Sequence, residues 1–129
     1  MRFLLDTHTV LWALLPLPEK LGKNAAEIIS DTRNELYVSA VTAWEIATKV
    51  RLGKLPVATT LMKDFLPALK TAGYILLPIA PEHALLAGSL AGEHRDPFDR
   101  MIAAQALLEN IPILGSDKEL DIFGARRIW

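Results

Sequence analysis

The chain has 129 residues, 51% of them hydrophobic, with 14 basic against 15 acidic side chains and no cysteine. That length and apolar content predict one domain, residues 1–129, with a full core, and exclude a disordered chain. The near-balance of charge excludes a purely electrostatic nucleic-acid binder. Without thiols, disulfides and thiolate metal sites are excluded, so any metal must be held by oxygen or imidazole.

The first element is a strand. Phe3-Leu4-Leu5 is too short for a helix face and reads as a segment buried on both sides. It stops at Asp6, followed by Thr7, His8 and Thr9. A carboxylate where a buried strand ends has two readings: the N-cap of the next helix, or a site residue beyond the carboxyl edge of an α/β sheet. Only three apolar residues separate Arg2 from Asp6, unlike a secretory leader, and no apolar run approaches the ~18–20 residues of a membrane span. A cytoplasmic protein with no membrane contact is the expectation.

Val10–Leu15 then predicts a short apolar helix ended by Pro16 and Pro18, and Lys23–Ser30 a second helix. A polar turn over Asp31–Glu35 leads to a strand at Leu36–Val38. Ser39 or Thr42 caps a helix from about Val41 to Arg51 that ends at Gly53, with Trp44, Ala47 and Val50 as its buried stripe. Glu45 lies in the first turns of that helix, so it falls near the same sheet edge as Asp6, and it is also spaced for an i,i+4 pair with Lys49. A helix from Thr59 or Thr60 through Leu69 should kink or break at Pro67. Tyr74–Leu77 is a strand. Pro81 or Glu82 opens a helix with Ala84, Leu85, Ala87, Gly88, Leu90 and Ala91 as its small-residue face.

The densest polar cluster follows at Glu93–Arg100. Asp96 before Pro97 has the form of an N-cap with proline at the first helical position, opening a helix to about Leu108. Asp99 sits in its first turn, where free N–H groups favour an anion. Ile111–Leu114 is the fourth strand, and Gly115-Ser116-Asp117 leaves it as Asp6 and Thr7 leave the first. Phe123–Trp129 closes the chain with an edge strand. Strand and helix alternate throughout, which predicts a mainly parallel sheet covered by helices on both faces, a three-layer α/β/α sandwich.

In such a sheet Asp6, Glu45, Asp99 and Asp117 fall at one edge. Four gathered carboxylates repel unless a cation neutralises them. A hard divalent ion, Mg²⁺ or Mn²⁺, suits oxygen ligands and activates water against a phosphodiester.

These stretches also carry a resemblance. LLDTH at Leu4–His8, VTAWEIATK at Val41–Lys49, DPFDRMIAAQA at Asp96–Ala106 and GSDKELDIFG at Gly115–Gly124 resemble, in order, the four acidic motifs of PIN-domain proteins, and more narrowly of VapC-like toxins. The resemblance implies a PIN-like α/β/α fold and a Mg²⁺-dependent endoribonuclease. Asp6 and Asp99 would hold the metal, while Glu45 and Asp117 complete the pocket, in part through water. It also implies a cognate antitoxin that silences the site, expected against the helices at Lys23–Ser30 and Val41–Arg51, and a homodimer.

Thr7 and Ser116 are placed to hydrogen-bond the carboxylates. Lys49, Arg51, Lys54, Arg95 and Arg100 flank the motifs and could meet RNA phosphates or pair within the protein. His8 and His94 lie beside the acids as acid–base candidates or as solvated loop residues. Two other functions compete. A receiver-like phospho-acceptor domain needs paired acids after its first strand and a lysine after a late one, where this chain has a single Asp6 and Gly-Ser-Asp. A catalytically silent PIN-like RNA-binding module keeps the fold, but the presence of all four acids argues for catalysis.

Overall fold

The computed structural model describes residues 1–15 and 20–129; the expected helix stop at Pro16 and Pro18 lies outside them. Five parallel strands form one sheet: β1 (Arg2–Leu5), β2 (Glu35–Ser39), β3 (Ile75–Leu77), β4 (Ile113–Leu114) and β5 (Arg127–Ile128). Their order is β3-β2-β1-β4-β5. The central place of β1 explains its sequence. Phe3 and Leu5 point to one face, against Val38, Ile46, Phe65 and Leu114, while Leu4 points to the other, against Val41, Ile102 and Ile113. Neither face meets water, so an alternating polar residue would be unpaired.

Around the sheet lie α1 (Thr7–Leu14), α2 (Lys23–Ser30), α3 (Ala40–Arg51), α4 (Thr59–Lys63), α5 (Phe65–Ala72), α6 (Pro81–Ser89) and α7 (Pro97–Glu109). Short 3₁₀ turns run over Pro56–Ala58 and Lys118–Phe123. The expected three-layer α/β/α sandwich is present. The strand order reverses between β1 and β4, and at such a switch point an open parallel sheet leaves a crevice beyond its carboxyl edge. Asp6 and Gly115 emerge side by side there, where Asp6 N donates to Leu114 O at 3.0 Å.

Several local readings are corrected. The buried side of α3 is Val41, Thr42, Glu45 and Ile46, whereas Trp44 is 58% exposed. Of the expected stripe, Val50 packs half-buried against the core and Ala47 is half-buried, while polar Thr42 and Glu45 take the inner place expected for Trp44. The Thr59–Leu69 segment breaks at Asp64, not Pro67. Pro67 is the third residue of α5, where the N–H has no intrahelical acceptor and proline is harmless. On α6 the buried residues are His83 and Ala87, with Ala84 and Gly88 exposed and Leu85 75% exposed. Helix α1 starts at Thr7, so Asp6 caps it directly.

Candidate active site

Asp6 is the N-cap of α1, the first of the two readings its position allowed, and it is buried at 3% exposure at the carboxyl edge of β1. Its Oδ1 accepts from Thr9 N at 2.9 Å and lies 2.8 Å from Thr9 Oγ1, which is also 2.8 Å from Leu114 O. One hydroxyl proton serves one of those oxygens at a time. A proton on Asp6 would complete the set, and burial does push the Asp6 carboxyl above its ordinary value, with the Thr9 bonds pulling the other way. On the other side, a Cβ at Gly115 would lie 2.9 Å from Asp6 Cγ and closer still to Oδ2. Glycine is therefore required at 115 for space, so that the carboxylate can lie against the β4 backbone.

Glu45 comes from one and a half turns into α3, whose start is fixed by Ser39 accepting from Val41 N at 3.0 Å. Its carboxylate is 3% exposed; Oε2 pairs with Lys49 Nζ at 2.5 Å, while Oε1 has no partner among the described residues. An unpaired buried carboxylate oxygen costs about 1–3 kcal/mol or more, several times what an exposed i,i+4 pair returns. Packing therefore does not explain Glu45. Its charge reaches both Asp6 and Asp99, raising each.

Asp99 lies in the first turn of α7, behind the Asp96 cap, which accepts from Phe98 N at 2.9 Å and Asp99 N at 3.3 Å. Its Oδ2 is 2.8 Å from His94 Nε2, and His94 Nδ1 is 3.3 Å from Glu119 Oε2. Burial first, then the charges of Asp96 and Glu45, push Asp99 up to about 6, against the His94 hydrogen bond. That same bond to Asp99 raises His94. The imidazole also packs on Phe123, with ring centroids 5.8 Å apart. His94 thus ties the α7 start to the 3₁₀ turn after β4, and it is neither free nor solvated.

Asp117 caps that turn, accepting from Glu119 N at 2.9 Å. Beside it is Arg127, which no motif singled out. Its Nη1 donates to Gly115 O at 3.0 Å and its guanidinium grips Asp121 at 2.8 and 3.0 Å. The fields of Asp117 and Asp6 both act on it, so it stands between the first and fourth acids.

Other expected roles shift. Thr7 bonds Thr42 Oγ1 at 3.2 Å instead of a carboxylate, and Thr9 supports Asp6 in its place. The bonds to Asp6 and Asp117 come from Thr9 and the Glu119 N–H, not from Ser116. Lys49 is spent on Glu45. The Arg100 guanidinium donates to Ala87 O at 2.8 Å, His94 O at 3.0 Å and Leu90 O, so it is a clamp on the loop before α7 and not an open phosphate contact. Arg51, Lys54 and Arg95 are exposed. His8 is exposed and tilts against Trp12 at 5.6 Å. A capping carboxylate points at the N–H three residues on, so the spacing Asp6–Thr9 was the signal for Thr9. Gly115 and Arg127 carried no local signal.

The donor set fits a hard divalent cation. It is all oxygen plus one imidazole, and it includes a buried carboxylate oxygen with no partner among the described residues. Among those residues the ligand atoms within 4.8 Å of one another are those of His94, Asp96 and Asp99, and that set does not include Asp6, Glu45 or Asp117. The charge of Glu45 acts on both Asp6 and Asp99, while Asp117 and Asp6 each act on Arg127.

Comparison with known proteins places the fold and the family. Ribonuclease VapC16 of Mycobacterium tuberculosis is 59% identical over 29 residues, a match spanning about a fifth of each chain (22% of this one and 21% of the relative). Among solved structures, VapBC2 from Rickettsia felis, bound to a DNA fragment from their promoter, superposes with a TM-score of 0.70 at 16% identity, covering 100% of this chain and 99% of that one. VapBC-1 from nontypeable Haemophilus influenzae gives 0.68 at 20% identity, covering 99% and 97%. At those identities the two structures speak for the fold. The PIN domain family matches residues 3–125, nearly the whole sequence, and the chain belongs to the PIN domain family.

Proposed function

We propose that this protein is a metal-dependent endoribonuclease and the toxin of a toxin–antitoxin pair. The observation that carries this reading is the buried Glu45 carboxylate, one oxygen unpartnered, in the field of Asp6 and Asp99. A fold that buries Glu45 where it repels both Asp6 and Asp99 has a use for a cation there.

Asp6 and Asp99 would hold Mg²⁺ or Mn²⁺. When bound, such an ion lowers the pKa of water and stabilises charge on the scissile phosphate. The protein's own groups do the rest. Thr9 and Gly115 fix the Asp6 carboxylate, His94 fixes Asp99, and Glu45 Oε1 orients the attacking water or takes its proton. Asp117, capping the turn after β4, closes the acidic rim. Buried neighbours exclude bulk water from Asp6 and Glu45, which strengthens every charge interaction between them.

The substrate is RNA. The proposed partners are an antitoxin lying over the site against α2 and α3, and a second copy of the chain. The likeness to VapC16 and to VapBC structures supports these assignments. We place the activity in the cytoplasm, with its substrate. Among the described residues no helix is long and apolar enough to cross a membrane.

The test is incubation of the purified chain with total bacterial RNA, with and without EDTA, followed by sequencing of new 5′ ends. Cleavage should require the metal, and Asp99→Asn should fold yet lose it by on the order of 10³-fold or more. Equal cleavage by Asp99→Asn, or cleavage indifferent to EDTA, would reject the mechanism. Absence of any cleavage would instead favour a silent RNA-binding module.

A further inference from the structure

The contact between α3 and α7 has two layers. The inner one is Glu45 and Asp99, whose charges reach each other. The outer one is Trp44 and Phe98, the residues just before them, whose rings meet at 4.8 Å and 77°. Phe98 is half-buried, but Trp44 is 58% exposed. A near-perpendicular contact holds the indole in place while leaving most of it to solvent. The other two tryptophans differ: Trp12 and Trp129 are half-buried and pack on each other at 5.5 Å.

We propose that Trp44, braced by Phe98, stacks an unpaired base of the RNA whose phosphate enters the acidic site. This rests on the ribonuclease reading and adds how the substrate is gripped. Three observations favour a nucleic-acid base over a protein surface. First, the neighbours of Trp44 on the same face of α3 are Ala47, Thr48 and Arg51, at i+3, i+4 and i+7, and the exposed Leu52 at i+8, so a hydroxyl and a guanidinium stand between the two exposed apolar side chains. Second, exposed guanidiniums follow and precede the pair in sequence: Arg51 lies two turns along α3 from Trp44, and Arg95, three residues before Phe98, lines an open depression of about 610 Å³ with Gly92, Glu93, His94 and Arg100. Aromatic rings between cations match the alternation of bases and phosphates in a single strand. Third, each ring is next in sequence to an acid, Trp44 to Glu45 and Phe98 to Asp99, so the ring pair stands beside two of the acids on both helices. Bases locked in a duplex are not available to such a ring, so the substrate class is single-stranded or looped RNA.

The experiment titrates a mixed-sequence single-stranded RNA dodecamer, and the same strand as a duplex, into the full chain in EDTA by fluorescence anisotropy. Wild type, Trp44→Phe and Trp44→Leu are compared, with sedimentation recorded for each. Trp44→Leu should weaken single-strand binding about 5- to 150-fold, and Trp44→Phe should stay near wild type. Duplex binding and sedimentation should not change. Equal single-strand binding by Trp44→Leu overturns the proposal. A change of oligomeric state in Trp44→Leu also overturns it, and assigns the ring to a contact between copies. A parallel cleavage assay with Mg²⁺ separates the two readings. If wild type cuts RNA and Trp44→Leu cuts equally well, only the stacking falls; if wild type neither binds nor cuts RNA, the ribonuclease reading falls with it.

Discussion

Asp6 and Asp99 would share one ion, yet they are held in opposite ways. Asp6 is at the end of the central strand, 3% exposed, pressed against the Gly115 backbone and bonded by Thr9 from the turn it caps. Nothing about it can adjust without moving the sheet. Asp99 stands in a helix first turn with an 18% exposed side chain, and its carboxylate is set by one imidazole. That imidazole is steadied in turn by Glu119, a 68% exposed carboxylate. One carboxylate is part of the core; the other is on a tether. A site built this way takes its geometry from Asp6 and its adjustability from Asp99, so damage should be abrupt at the first and graded at the second.

The sharpest way to break that contrast is Gly115→Ala. The added methyl cannot coexist with the present Asp6 carboxylate, and the backbone on both sides is fixed by sheet hydrogen bonds. Cleavage should fall by about 100-fold, the upper end for a group that orients a metal ligand, with roughly 1–3 kcal/mol of stability lost to overpacking. Chemical denaturation and single-turnover cleavage report the two effects separately. His94→Ala is the counterpart on the tethered side. Mn²⁺ affinity and cleavage should drop by about 10-fold, and His94→Gln, which keeps a donor, should recover part of it. An undiminished His94→Ala would mean that the helix start alone orients Asp99.

Much of this contrast was legible in the sequence, and for identifiable reasons. A run of three apolar residues ending in Asp6 states both a central strand and a carboxylate at its edge. Asp96-Pro97 states a helix start and so the first-turn place of Asp99. What was not legible was whatever depends on two distant segments meeting. The burial of Glu45 in place of Trp44 depends on which side of α3 faces α7 and β1, and apolar spacing alone chose wrongly. Gly115 matters because β4 lies beside β1, and Arg127 because β5 lies beside β4. The Thr9–Asp6 bond was local, but treating cap and ligand as rivals hid it: the cap geometry is what holds the ligand.

The two acids also differ in how their protons report on the fold. Asp99, raised to about 6 chiefly by burial, destabilises the apo protein when ionised. Above about pH 6 it is charged in folded and unfolded chains alike, and the folded state bears the full penalty. Between about 6 and the ordinary 3.8 the folded chain keeps a proton that the unfolded chain has lost, so the penalty shrinks as pH falls and is gone below 3.8. Asp99→Asn in EDTA should therefore be more stable than wild type at pH 8, by on the order of 1 kcal/mol once solvent screening is allowed for. That gain should fade as pH is lowered to 4. Thermal melts at pH 8, 6 and 4 check it, and a gain that grew on acidification would reverse the assignment.

A second histidine–carboxylate pair tests whether the effect of His94 is specific to the site. His83 is 5% exposed on α6; its Nδ1 accepts from Ala80 N at 2.9 Å, which leaves Nε2–H to meet Glu109 Oε1 at 2.9 Å. The Nε2–carboxylate distance is close to the 2.8 Å at His94, yet Glu109 is ten residues from Asp99 on α7, ~15 Å along the helix. Here the imidazole caps α6 and ties it to the far end of α7, so it supports the fold and touches no acid of the site. His83→Phe leaves the Ala80 N–H unpaired and should cost about 1–3 kcal/mol, with Mn²⁺ affinity and cleavage at 25 °C unchanged. Equal stability losses in His83→Phe and His94→Ala, with metal affinity lost only in the latter, would localise the tether to Asp99. Metal affinity lost in both would show instead that α7 transmits strain along its length, and the graded behaviour of Asp99 would then belong to the helix and not to its imidazole.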